Sequence, residues 1–193
     1  LIPFNQLLDI NCKRGLVWGE LEFVLPQNKV VRLHGTEWGE TRRFFQHLQS
    51  EWQSWSEEMS DVAAGVLRQT LEELAGRDTE HWLRRGEMQA LQEKIRDAFT
   101  ALPLPHERME AFDNCRELWH QCQAWLEEGE ARRLVINQAW TERMLEQYAE
   151  FFEQVESSPL NPSQARAVVN GESALLVLAG AGSGKTSVLV ARA

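Results

Sequence analysis

The feature that most constrains this chain is an apolar run feeding directly into a glycine-rich loop. Ala174-Leu175-Leu176-Val177-Leu178 has no polar alternation, the pattern of a parallel strand buried on both faces. It leads into Ala179-Gly180-Ala181-Gly182-Ser183-Gly184-Lys185-Thr186 and then into an apolar helix start, Val188-Leu189-Val190-Ala191. Strand, glycine loop, Lys-Thr and helix form the layout of a phosphate-binding loop. The chemistry explains the residue types. A triphosphate needs several donors aimed at one point, and successive backbone N–H groups in a tight loop supply them. Gly180, Gly182 and Gly184 let the backbone approach phosphate without a Cβ in the way and adopt conformations closed to other residues. The helix begins at the phosphates, so its positive end and free N–H groups face the anion. Lys185 is placed to reach the β- and γ-phosphates, and the Thr186 hydroxyl to ligate Mg²⁺. The strict pattern opens on Gly where this chain has Ala179, a small residue that the looser pattern admits.

Ahead of that run, Asn161-Pro162-Ser163-Gln164 reads as a helix start, with Asn161 as the cap and Pro162 at the first position. Asn170-Gly171 closes this short helix, and Ser157-Ser158-Pro159 reads as a linker before it. A glutamine such as Gln164 on a helix is ordinarily a solvated residue, but the loop downstream gives it a second reading, in which its amide donates and accepts at once.

The rest of the chain sets limits. At 193 residues it is long enough for one or two domains with a real core, and its 43% hydrophobic and 25% charged residues are ordinary for a globular protein. The formal net charge of −9 argues against this stretch being a strong non-specific nucleic-acid binder, which needs clustered cations. Arg84-Arg85 and Arg132-Arg133 are short basic pairs in acidic surroundings, read as solvated faces. Cys12, Cys115 and Cys122 show no metal-ligand spacing and are expected as reduced thiols. The scattered histidines form no triad or metal set. No apolar run approaches a membrane span, no signal sequence opens the chain, and a cytoplasmic location without membrane contact is the expectation. The chain opens on Leu1 and ends at Ala193 inside a helix start, the expectation for a fragment cut at both ends.

The N-terminal third reads as short antiparallel strands, with Leu16 to Leu25 and Lys29 to His34 joined by a Pro26-Gln27-Asn28 turn, and with Gly19 at a bulge. Gly35 is expected to end the strands and Thr36 to cap a helix. The stripe Phe44, Leu48, Trp52, Trp55, Met59, Val62, Val66 follows at helical spacing, extended by Leu67, Leu71 and Leu74, with Ser60-Asp61 as an alternative helix start. A small sheet capped by a helix is compatible with the later part of a pleckstrin-homology-like fold. Gly76 to Thr79 reads as a capped loop. Trp82 to Phe99 is helical, with Met88, Leu91, Ile95 and Phe99 as its stripe. Pro103 and Pro105 break the pattern. A further helix is expected from about Glu107 to Glu128, with Phe112, Cys115, Trp119 and Cys122 on one side, interrupted at Gly129. Another is expected to run to Val155, with Trp140, Met144, Tyr148, Phe151 and Val155 as its stripe. Core packing is the reading for these aromatics.

At this point the chain resembles a known family. "LLVLAGAGSGKT", preceded by "LNPSQARAV", is similar to the start of the UvrD-type superfamily 1 DNA helicases, and "CKRGLVWGELEF" with "RLHGTEWGE" resembles the accessory region of one bacterial branch of that family. The resemblance implies an α+β N-terminal region of antiparallel strands then helices, followed by the truncated start of an α/β RecA-like motor domain. The divisions are 1–75 (sheet plus helix), 76–156 (helical hairpin or bundle) and 157–193 (Q motif, first strand, Walker A). Gln164 matches the Q-motif glutamine that reads the adenine edge. Ala179, Gly180, Ala181, Gly182, Ser183, Gly184, Lys185 and Thr186 match the Walker A loop that binds ATP, with Lys185 and Thr186 as the catalytic pair and Thr186 on Mg²⁺. Ser187 stands where many relatives carry Arg. The implied activity is ATP-driven 3′-to-5′ movement on single-stranded DNA and duplex unwinding by the whole protein, with the fragment inactive alone. The competing reading is a helicase-related ATPase whose N-terminal helices dock on a protein complex such as a polymerase. An unrelated P-loop ATPase or kinase is disfavoured by the Q-motif helix ahead of the strand.

Overall fold

The computed structural model describes residues 2–75, 81–155, 158–178, 180 and 182–193. The expected loop at Gly76 to Thr79, Ser157 of the expected linker, and Ala179 and Ala181 of the glycine loop lie outside the described residues. The described chain divides into two compact units, Leu1–Glu72 with Lys94–Ala124, and Glu73–Glu93 with Trp125–Ala193.

The first unit is built on an antiparallel meander of β1 (Asp9–Arg14), β2 (Trp18–Leu25) and β3 (Lys29–Glu37) in the order β1-β2-β3. β1 is not among the strands that the sequence predicts. Its alternation emerges only in register, where Ile10 pairs with Phe23 and Cys12 with Leu21 on one face. The turn between β2 and β3 holds Gln27 and Asn28 at positive φ, 61° and 58°. A bulge does sit beside Gly19, but the inserted residue is on the other strand. Gly19 pairs with Thr36 and Glu20 with His34, so Gly35, at φ 103°, is the extra one. The strand therefore does not end at Gly35 but runs on to Glu37. Thr36 is not a helix cap; its hydroxyl lies 2.6 Å from that of Thr41. Any Cβ on Gly19 would collide with the Thr41 side chain, which accounts for glycine there.

One unbroken helix, α1 (Trp38–Ala75), follows, so Ser60-Asp61 starts nothing new. It covers one face of the sheet, where Leu7, Ile10, Leu21, Phe23 and Trp52 form a core flanked by Phe45, Leu48 and Trp55. The buried seam differs from the expected stripe. Phe44 and Val62 are exposed, whereas Ser56, Ser60 and Ala63 are buried. The serines tolerate burial because each hydroxyl is used within the helix, Ser56 donating to the Trp52 carbonyl at 2.6 Å and Ser60 to that of Glu57 at 2.8 Å. Small residues there also admit close neighbours, and Cys115 Sγ lies 3.2 Å from the Ser60 carbonyl.

The remaining helices are α2 (Arg85–Thr100), α3 (Asp113–Glu127), α4 (Gly129–Gln147), α5 (Ala149–Gln154), α6 (Pro162–Val169) and α7 (Lys185–Arg192). The expected α2 stripe holds, with Met88, Leu91 and Ile95 buried. After Pro105 the chain makes a 3-10 turn over His106–Ala111, so α3 begins later than expected, at Asp113. Cys115, Trp119 and Cys122 are buried on it. All three cysteines are free, and burial pushes the Cys122 thiol up to about 11. The helix expected to reach Val155 breaks at Tyr148 into α4 and α5. The break turns Phe152 inward, against Ala165 and Val169 of α6, and leaves Tyr148 and Phe151 exposed. Among the described residues no helix is long and apolar enough to cross a membrane.

The expected strand at Ala174–Leu178 does not form. These residues take neither helix nor strand, and Leu176 and Leu178 are 81% and 85% exposed. A parallel strand exists through the ladder of its neighbours, and none of the described strands pairs with it. Amides of Leu175–Leu178 are therefore expected to exchange with solvent hydrogen much faster than those of α1 around Trp52, measured by hydrogen exchange on this 193-residue chain. Slow exchange at Leu175–Leu178 in a monomer would show that the preceding helices supply a docking surface for the run.

Candidate nucleotide-binding site

Of the expected site residues, Gln164, Gly180, Gly182, Ser183, Gly184, Lys185 and Thr186 are described, and they gather where α6, the glycine loop and α7 meet. Asn161 caps α6 as expected, accepting from the Gln164 N–H at 3.0 Å, while Gln164 Oε1 accepts from the Asn161 N–H at 2.7 Å. This reciprocal capping box fixes the Gln164 side chain across the helix start. Its Nε2 then donates to the Ser183 carbonyl at 3.0 Å, tying the helix start to the glycine loop. Each amide atom has used one of its two hydrogen-bonding positions, so one N–H and one lone pair stay available for a planar ligand edge.

Within the loop, Gly182 and Gly184 stand at φ 74° and 77°, the left-handed region that glycine enters without strain. Gly184 has a second reason to lack a side chain, since any Cβ would collide with the Gln164 amide. Gly180 and Gly182 face open space. The Gly180 carbonyl collects two donors, Ser183 Oγ at 2.7 Å and Lys185 Nζ at 2.8 Å. Lys185 opens α7, with Thr186 beside it in the first turn. Asn161, Gln164, Val177, Gly184, Lys185 and Val188 line a cavity of about 200 Å³. Two glycines leave room beside the backbone, and an ammonium and a hydroxyl converge on one acceptor at a helix start, an arrangement suited to an anion.

The far ends of the two helices are also joined, by residues that sequence reading passed over. Arg192, at the end of α7, donates to the carbonyls of Ala167 (3.0 Å) and Asn170 (2.6 Å) at the end of α6. Arg133, read as half of a solvated basic pair, is only 6% exposed. It donates to both carboxylate oxygens of Glu130, to Glu172 and to the Leu83 carbonyl. The Arg133 guanidinium in turn holds the Glu130 carboxyl down at about 2. One signal was available. Gly129, Arg133 and Asn137 continue the Trp140, Met144 stripe toward the N-terminus at helical spacing, and all three are buried.

Comparison with known proteins places this architecture. Residues 160–193, which hold α6, the glycine loop and α7, match the UvrD/REP helicase N-terminal domain. Residues 1–127 match the family described as DNA helicase IV / RNA helicase N terminal, and the chain belongs to that family. The chain is 69% identical over 194 residues to the DNA helicase IV of Escherichia coli (strain K12), a match that takes in all of this chain and 28% of that relative's length. No solved structure matches.

Proposed function

We propose that the whole protein is an ATP-dependent DNA helicase that couples Mg-ATP hydrolysis to 3′-to-5′ movement on single-stranded DNA and unwinding of duplex DNA in the cytoplasm. The observation that carries this reading is the hydrogen bond between Gln164 and Ser183, which brings an amide suited to adenine onto a loop suited to phosphate. In this reading residues 157–193 open a RecA-like motor domain, and residues 1–75 and 76–156 are accessory. Ala179 to Thr186 cradle the triphosphate, Lys185 faces the β- and γ-oxygens, and Thr186 holds Mg²⁺. ATP supplies the bond whose hydrolysis drives movement, while Gln164 selects the base. The chain alone is inert, because phosphoryl transfer needs carboxylates to order metal and water and cations to stabilise the departing charge.

Base selection gives a direct test. Gln164→Ala in the full-length protein is expected to raise the KM for ATP by about tenfold and that for GTP far less, because a hydrogen-bonded edge contact is worth about 1–1.5 kcal/mol. Equal changes for the two nucleotides would return Gln164 to a purely capping role.

The docking reading also has an observation behind it. Val31, Leu33 and Phe44 are exposed, and Leu33 and Phe44 line a groove of about 310 Å³ in the first unit, a surface suited to a protein partner. The sheet's opposite face disfavours strong DNA binding there, since Lys13 and Arg32 are engaged by Glu22 at 2.6 and 2.8 Å.

A further inference from the structure

Asn170-Gly171-Glu172 joins α6 to the apolar run before the glycine loop, and three arginines from three parts of the second unit converge on it. Arg84 Nε donates to the Gly171 carbonyl at 3.1 Å. Arg192, from the end of α7, donates to the Asn170 carbonyl at 2.6 Å and the Glu172 carbonyl at 3.3 Å. Arg133, from α4, donates to the Glu172 carboxylate. The backbone between them is pinned by packing as well. A Cβ on Gly171 would run into the Trp82 indole, and Trp82 itself meets Trp140 edge to face at 5.7 Å.

We propose that Arg133 is a positioning residue for the nucleotide site, acting through Glu172 on α6 and α7. Burying a guanidinium at this place has a cost that packing alone does not require, because an apolar side chain of similar volume would fill the space as well or better. What an apolar residue cannot do is fix the Glu172 carboxylate. Glu172 is fixed at both levels: its side chain is held by α4 through Arg133 and its backbone by α7 through Arg192. Arg192 carries that constraint to the last carbonyls of α6, and Gln164, at the other end of α6, rests on Ser183 in the loop. The two helices are therefore clamped at both ends, and Arg133 anchors one clamp to α4. Releasing it lets the 170–172 segment shift, and the Gln164 amide then moves relative to the loop. The consequence is weaker nucleotide binding with little change in the chemical step, since neither Lys185 nor Thr186 is touched. It also gives the accessory helices a direct mechanical connection to the nucleotide.

This inference rests on the nucleotide-binding reading above, and the test separates the two. In the full-length protein, Arg133→Met keeps the buried volume and removes the fork, Arg133→Lys keeps the charge without it, and Glu172→Gln changes the more exposed partner. KM and kcat for DNA-stimulated ATP hydrolysis are measured beside the thermal melting of each variant, with Lys185→Ala run in parallel. The expected result for Arg133→Met is a KM raised about tenfold, equivalent to 1.4 kcal/mol of binding, with kcat within a few-fold of the parent. Glu172→Gln should shift KM in the same direction, and Arg133→Lys should recover part of the loss. Unchanged KM in folded Arg133→Met and Glu172→Gln, with hydrolysis lost in Lys185→Ala, overturns the positioning role and leaves the nucleotide site standing. A parallel fall of kcat and melting temperature in all three substitutions at these two residues also overturns it, because the contact is then a stability element alone. Retained hydrolysis in Lys185→Ala overturns the nucleotide reading, and the positioning role falls with it.

Discussion

Replacing Lys185 with alanine in the full-length protein is expected to abolish DNA-stimulated ATP hydrolysis, and with it unwinding. The side chain leaves the first residue of α7 and returns over the loop to the Gly180 carbonyl at 2.8 Å, the same oxygen that accepts from Ser183. That carbonyl marks the point where the loop's donors converge, and a phosphate oxygen bound in the loop would take its place as acceptor. Negative charge accumulates on the leaving oxygen as its bond to the transferring phosphoryl group breaks, so a cation aimed at the β- and γ-oxygens acts mainly on the transition state. Removing one such donor typically lowers kcat by about 10²–10³, roughly 3–4 kcal/mol, and an ammonium at a triphosphate belongs at the upper end. The variant should nevertheless fold normally. Lys185 is exposed, and its substitution should move stability by no more than about 0.5 kcal/mol. Equal melting temperatures with hydrolysis lost would place the effect in the site. Near-normal DNA-stimulated hydrolysis in the folded variant would remove the basis for assigning the loop to ATP.

The reach of the sequence differed between the two parts of this molecule, for identifiable reasons. Local chemistry was legible. Asn161 as cap, Pro162 at the first helical position, the break after Pro105 and the turn through Gln27-Asn28 follow from dihedral preferences that need no distant partner. Helix phase was legible where the buried face is apolar, as at Met88, Leu91 and Ile95. It was misread in α1 because the seam uses Ser56 and Ser60, whose hydroxyls are satisfied by their own helix and so do not look like core from composition. The glycine bulge was seen but put on the wrong strand, since register decides which of two facing strands carries the extra residue. The Ala174–Leu178 run was read as a strand because its composition demands burial on two faces, and burial of that kind depends on strands elsewhere. At the candidate site the glycines, Lys185 and Gln164 were found by motif. Arg133, which holds Glu172, was missed because a buried, fully paired guanidinium and a solvated one look alike in sequence.

The second expected result concerns which part of the accessory region can be removed. Deleting Leu1–Val155 from the full-length protein appeals on sequence grounds, because nothing in that stretch carries a phosphate loop or metal-ligand spacing. The structure places the natural cut elsewhere. The second unit includes Glu73–Glu93 and begins again at Trp125, and its α6 rests on residues N-terminal to the linker. Phe152 packs on Ala165 and Val169, with Trp140, Met144 and Leu145 around them, and Arg133 holds Glu172. Removing all of these uncovers Ala165 and Val169, with Leu160 and Val168 beside them, at about 1.5–3 kcal/mol for a fully buried valine, and strands one carboxylate. Deletion through Val155 is therefore expected to abolish ATP hydrolysis by unfolding the nucleotide segment. A cut that follows the units is expected to spare it. Leu1–Glu72 is removed, and Lys94–Ala124 is replaced by a short glycine-serine bridge. The bridge is feasible because Gln92 Nε2 already donates to the carbonyls of Trp125 and Leu126, at 3.4 and 3.0 Å, so the ends to be joined are close. Both variants are compared with the parent for soluble yield, melting temperature and DNA-stimulated hydrolysis. The bridged variant should hydrolyse ATP at a rate within a few-fold of the parent, with changed affinity for particular DNA structures or partners. Loss of hydrolysis in a folded bridged variant would mean that the first unit completes the motor, and retained hydrolysis after deletion through Val155 would mean that α6 and the loop draw their support from elsewhere in the whole protein.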